Sequence, residues 1–312
     1  MEITRFAGGT EKQAPPREDL EHTNPHDVRS IALRLTLLVG AGALLAGAAL
    51  LLGDRVPAAA PTRPTSPQKL LPDLDQETPS ELQIQMTFVK GHRSFRLGFR
   101  SAIRNLGDGP LIVNGSRVDR STPEMTVDQV VERAGAAPQV IHGVGRMRYV
   151  VSSDHRHWHY LAFDRYSLQT YELRPTGSGP ALVQDQKTGF CLGDRYRIDA
   201  RALPAAPTEP VFTRRCGLTQ PGRLTMHEGI SVGYGDDYSA FLEGQDLPLD
   251  GLPGGRYILV HRVNADGGLE ELTYENNAAS VFLDLRWRNG QPRLRVLAKC
   301  PDRADCGSAL HR

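Results

Sequence analysis

The sequence predicts a mainly β fold: an antiparallel β-sandwich core with long functional loops, preceded by a single N-terminal transmembrane helix and a Pro-rich linker. Three observations predict it. Short runs alternate apolar and polar residues and are separated by Gly, Asn and Asp turns. Long stretches of apolar residues at helical spacing are absent. One uncharged apolar run, residues 35–52, stands near the N-terminus.

Taken in order, residues 1–30 are polar, charged and without period, which predicts a disordered cytoplasmic tail. Residues 31–53 contain the run LTLLVGAGALLAGAALLL. At a rise of about 1.5 Å per residue it spans a hydrocarbon layer about 30 Å thick. Arg29 and Arg34 precede it, so the tail is expected inside and the bulk of the chain outside. A single-pass anchor in the cell membrane is therefore expected, with a secreted form after cleavage near 58–60 as the alternative. Residues 54–80 carry prolines at 57, 61, 64, 67, 72 and 79, the composition of a stiff spacer. Residues 81–312 remain for the folded domain.

Within that domain Ile84, Met86 and Phe88 alternate with polar residues and predict a half-buried strand. Leu97, Phe99, Ser101 and Ile103 predict a second, and residues 111–113 a third after the turn at 105–109. Residues 126–134 read as a short helix. Residues 257–263 and 279–287 read as late strands with a hairpin-like turn at 266–268.

Formal net charge is +1 and no basic face is concentrated, so nucleic acid is not an expected partner. No phosphate loop, nucleophile elbow or dinucleotide fingerprint is present. The four cysteines fall in two local pairs. In an exported chain Cys191–Cys216 and Cys300–Cys306 are the simplest disulfides.

The most specific feature is His155-Arg-His-Trp-His159. On a strand, residues i, i+2 and i+4 point to one face, so His155, His157 and His159 can converge on one metal ion. Three imidazoles suit copper, zinc, iron or nickel, and three protein ligands leave room for water, oxygen or substrate. His142, His227 and His261 are isolated and are expected to be hydrogen-bonded structural residues.

Several segments together resemble the lysyl oxidase family. His155-Arg-His-Trp-His159 followed by Phe163-Asp-Arg-Tyr-Ser-Leu168 is similar to the family's copper-binding region. Asp185-Gln-Lys-Thr-Gly-Phe-Cys-Leu-Gly-Asp194 resembles the segment that supplies the cofactor lysine. Gly229-Ile-Ser-Val-Gly-Tyr-Gly-Asp-Asp-Tyr238 resembles the one that supplies the cofactor tyrosine. Pro253-Gly-Gly-Arg-Tyr-Ile-Leu259 and Tyr274-Glu-Asn-Asn277 resemble its closing strands.

The resemblance implies a copper ion on His155, His157 and His159, and a lysyl tyrosylquinone made from Lys187 and Tyr238. It also implies Asp236 as the base that removes a proton from the substrate. Lys187 is one of only five lysines; Tyr234 is the rival to Tyr238. The implied activity is oxidative deamination of a primary amine, free or on a lysine side chain, by molecular oxygen. The competing expectations are a non-catalytic copper-binding sandwich and a zinc hydrolase. The chain departs from the animal members in having far fewer cysteines; only Cys191 and Cys216 have counterparts.

Overall fold

Period-two alternation decides the elements of the molecule. The structure is a computed structural model that describes residues 66–152, 155–171, 182–199, 203–213, 215–242 and 244–306. The apolar run at 35–52 and the tail at 1–30 lie outside the described residues. In chain order the strands are β1 (Lys69–Leu70), β2 (Leu74–Gln76), β3 (Ser80–Val89), β4 (His92–Asn105), β5 (Leu111–Ser116), β6 (Glu124–Arg133), β7 (Ala136–Val151) and β8 (Arg156–Thr170). They continue as β9 (Leu182–Phe190), β10 (Tyr196–Arg197), β11 (Thr225–Ile230), β12 (Tyr234–Tyr238), β13 (Asp246–Pro248), β14 (Gly255–Val263), β15 (Ala278–Arg288) and β16 (Gln291–Cys300). Among the described residues there is no helix.

The strands form two antiparallel sheets. The larger runs β11-β5-β6-β7-β8-β14-β15-β16, with β1 added on β6 and β9 on β8. The smaller runs β10-β12-β4-β13, with β2 and β3 also paired to β4. Leu97 and Phe99 of β4 pack against Tyr166 and Leu168 of β8, Leu259 of β14 and Leu283 of β15, so one core lies between the sheets. Phe99 meets the Tyr166 ring edge-on at 4.9 Å. A second cluster gathers Trp158, Tyr160, Phe163, Phe190, Tyr234 and Tyr238 around the other half of β8.

β8 contributes to both clusters, as do β4 and β14. Its first half, from Arg156 to Tyr160, pairs with β7. Its second half, from Asp164 to Thr170, pairs with β14. β9 runs along it, with a register shift between Tyr160 and Asp164. Ala162 sits in that shift with φ 55°. The bulge separates a half that faces the histidine site from a half that fills the core.

The structure corrects four sequence expectations. Residues 126–133 belong to β6 and residue 134 to the turn after it, not to a helix. Met125, Val127, Gln129 and Val131 are buried in strict alternation with more exposed neighbours, and the Val and Thr residues favour the pleat. The stretch 54–80, expected as spacer, already contains β1 and β2, and Leu74 is fully buried. Met86 and Phe88 of β3 are exposed, at 52% and 64%, so the outer half of that strand has no buried face. The 266–268 turn lies within a longer connection, 264–277, between the antiparallel neighbours β14 and β15.

Because Leu74 packs in the main cluster, Leu74→Ala is expected to cost about 2–5 kcal/mol of stability. A denaturant titration reads this as a lowered midpoint with an unchanged slope. A neutral result would return β2 to the spacer.

Candidate metal and tyrosine centre

The three histidines arise from one strand. His155 precedes β8 directly, and His157 and His159 lie opposite Val150 and Arg148 of β7. The pleat sends the three imidazoles to one side and buries Trp158 on the other. Trp158 is anchored there by its indole N–H on the Gln220 carbonyl at 3.2 Å and by the Arg117 guanidinium 4.7 Å above its ring. Gly189 of β9 crosses just over this strand. A Cβ there would come within 3.1 Å of the His159 Cβ and 3.0 Å of the Tyr160 carbonyl oxygen. A side chain at 189 would push the strands apart.

The ring nitrogens are close. His155 Nδ1 is 3.4 Å and His159 Nε2 is 2.8 Å from His157 Nε2. One ligand atom from each lies within 4.8 Å of the others. Ligand nitrogens about 2.0–2.1 Å from one ion stand roughly 3–4 Å apart. The cluster is therefore the size of a metal site. His155 meets His157 through Nδ1, and its buried Nε2 has no hydrogen-bond partner.

Tyr238, the last residue of β12, closes this site. Its ring is stacked with His155 at 6.0 Å and 9° and lies edge-on to His159 at 6.2 Å. Phe190 packs on it at 4.3 Å. The Tyr238 hydroxyl accepts the Cys191 amide at 2.9 Å. The Cys191–Cys216 disulfide then ties this point to the histidine strand, because the Cys216 carbonyl accepts the Trp158 amide at 2.8 Å. A cavity of about 170 Å3 is lined by His155, His157, Cys191, Arg195, Asp236, Tyr238 and Leu242.

With this geometry in place, one comparison with known proteins is decisive. The family described as Lysyl oxidase matches residues 128–291, more than half of the chain. The chain belongs to the lysyl oxidase family. No curated protein matches it. The matched span runs from β6 into β16 and includes all three histidines, Lys187, Asp236 and Tyr238. The family is one of amine oxidases.

The lysyl oxidase candidates now have places. His155, His157, His159, Tyr238 and Asp236 share one cavity lining or one ring cluster. Tyr234 does not: its hydroxyl donates to the Thr208 carbonyl at 3.2 Å. Lys187 lies on β9, its backbone opposite Arg165 of β8 and three residues before Phe190. Both expected disulfides form, Cys191–Cys216 and Cys300–Cys306. His142 bonds Asp128 and His227 bonds Asn114, as structural residues do. His261 differs, being fully buried against Phe99 and Tyr166 with neither nitrogen hydrogen-bonded.

Burial sets the electrostatics. It pushes the His157 imidazolium down to about 4, helped by the neighbouring His155. It pushes His159 down to about 3, helped by His157 and His155. Both rings are therefore neutral near pH 7 and carry the lone pair a metal requires. Burial raises Asp236 to about 8 against the opposing charge of Arg195. It also holds the Tyr238 phenol well above its usual range. Asp237, beside Asp236, is instead ion-paired to Arg100 at 2.7 Å and Arg195 at 2.5 Å.

Three contributors escaped the sequence reading: Arg195, Glu228 and Gly189. Arg195 and Glu228 are single charged residues in loops or strands with no spacing signal. Gly189 was visible only as part of Lys187-Thr-Gly-Phe190.

His157→Ala removes the nitrogen that stands between the other two. Copper content measured on the purified protein is expected to fall below about one tenth of the wild-type occupancy. Full occupancy in the variant would place the ion elsewhere.

Proposed function

We propose that this chain is a copper-dependent amine oxidase. It converts primary amines, free or on lysine side chains, to aldehydes, with one dioxygen and one water consumed and ammonia and hydrogen peroxide released per amine. The observation that carries the reading is the Tyr238 ring, stacked on His155 and held by its hydroxyl beside three converging imidazoles. The family membership supports the same chemistry.

His155, His157 and His159 would hold the copper. When bound, copper and oxygen supply the oxidation that turns Tyr238, joined to the Lys187 amine, into a quinone able to condense with a substrate amine. Only tyrosine among the side chains here can become that quinone. The Lys187 amine must be neutral to add to the ring. The sequence order and the adjacency of β9 to β8 put its backbone in the neighbouring strand.

Asp236 is the group suited to remove the substrate α-proton. It lines the cavity, and its Oδ2 is held by the Gly193 amide at 3.1 Å. With its carboxyl raised to about 8, it binds a proton tightly once ionised. Only the carboxylate can accept a proton, so activity should be low in acid and rise as pH passes through about 8. Leu242 and Phe190 keep the tyrosine side of the cavity apolar. That favours an uncharged amine at the reacting position.

The two disulfides support an oxidising, exported setting. The apolar run at 35–52 supports a single-pass membrane protein with the catalytic domain outside, and release by cleavage is the alternative.

The covalent link is the direct test. After copper loading in air, peptide mass analysis is expected to show the Lys187 and Tyr238 peptides joined, with a visible quinone absorbance. Lys187→Ala should keep copper and lose both. Separate peptides in the wild type, with no peroxide from any amine, would leave a non-catalytic copper-binding sandwich. For the base, Asp236→Asn should lower turnover by about 10²–10⁴-fold. A wild-type pH profile that is flat between pH 6 and 9 would remove Asp236 from that role.

A further inference from the structure

The backbone amides of residues 191, 192 and 193 are three consecutive donors. Each is taken by a side chain from the β11–β12 segment. The Cys191 amide goes to Tyr238 at 2.9 Å, the Leu192 amide to Glu228 Oε2 at 3.1 Å, and the Gly193 amide to Asp236 Oδ2 at 3.1 Å. Two of these acceptors line the cavity. Glu228 does not, and no role in the proposed chemistry uses it. It is nonetheless 1% exposed, and its Oε1 has no partner. A fully buried glutamate with one empty oxygen is expensive to keep, so it needs an explanation.

We propose that Glu228 is a positioning residue for the tyrosine centre: by accepting the Leu192 amide it fixes the register of residues 190–193 against β12, so that the Cys191 amide meets the Tyr238 hydroxyl. The proposal rests on the reading of Tyr238 as the cofactor tyrosine for its consequence, but not for its geometry. Glu228 stands on β11 opposite Val113 of β5, within the larger sheet, while Asp236 and Tyr238 pair with β4 of the smaller one. The amide row therefore stitches the two sheets together at the end of β9, the strand that carries Lys187. Loss of the middle stitch removes the side-chain bond between this segment and β11 and leaves the Cys191–Cys216 disulfide to tie it to the histidine strand.

The task needs an oxygen acceptor, not a charge. Burial, with a smaller contribution from Asp236, holds the Glu228 carboxyl well above its ordinary range. A neutral amide of the same shape should do the same work. Glu228→Gln is then a rescue, and Glu228→Ala a loss.

The full chain, solubilised and copper-loaded in air, supplies three readouts: copper content, hydrogen exchange of the 190–194 amides, and quinone absorbance. In Glu228→Gln the exchange protection and chromophore yield are expected to stay within about twofold of wild type. In Glu228→Ala copper content should be kept, while the 191–193 amides exchange about tenfold faster, the scale of one buried hydrogen bond. The rate of chromophore formation should drop by a similar factor. If Glu228→Ala does not fold, Glu228→Asp, one methylene too short to reach Leu192, takes its place with the same expectation.

Unchanged protection and unchanged chromophore formation in Glu228→Ala or Glu228→Asp would overturn the proposal. So would a Glu228→Gln protein as defective as the alanine variant, since charge rather than position would then matter. A wild type that forms no chromophore defeats the amine oxidase reading alone; the exchange data still decide the role of Glu228.

Discussion

The centre depends on one short stretch of backbone, residues 190–194. Its Cys191 amide holds the Tyr238 hydroxyl, and its Cys191 sulfur is bonded to Cys216. The Cys216 carbonyl takes the amide of Trp158, which stands between His157 and His159. Asp194 completes the hold by accepting the Val211, Phe212 and Ser231 amides. The histidine strand and the tyrosine strand belong to different sheets and never pair directly. What brings an imidazole cluster and a phenol face to face is this bridge of one disulfide and a row of amides.

Electrostatics follow from the same arrangement. Packing of Phe190 and Tyr238 around the imidazoles buries the site in part, and burial penalises charge. The imidazoles of His157 and His159 stay neutral, while the Asp236 carboxyl is poised near the range where a base works. Arg195 moderates the aspartate without neutralising it, because its nearest contact is Asp237. The two adjacent aspartates thus divide the labour. One is spent on ion pairs with Arg100 and Arg195, and the other is left facing the cavity.

Much of this was legible in the residues, for physical reasons. Strand period two placed the three histidines on one face before any coordinates, and buried Trp158 on the other. The ordered segments around Lys187 and Tyr238 carried the family. The cysteine spacing carried both disulfides, since short separations are the easiest to close. Other features could not be read. The 126–134 segment mixes valines and Thr126 with Asp128, Gln129, Glu132 and Ala134, so its composition alone is ambiguous, and pairing with β5 and β7 makes it β6. Leu74 lies among prolines, so burial by distant loops overrode its local appearance. Glu228 has no sequence signature, because its meaning comes from Leu192, 36 residues away in the chain.

The bulge at Ala162 has a consequence of its own. It uncouples two demands that would otherwise compete along a single β8. Upstream of it, the strand must aim imidazoles to within tenths of an ångström. Downstream, Tyr166 and Leu168 must fill a hydrophobic interior. Because the register is reset between Tyr160 and Asp164, a drift in interior packing need not be transmitted to the aim of the histidines. The strand is two registers in series, joined at one left-handed residue.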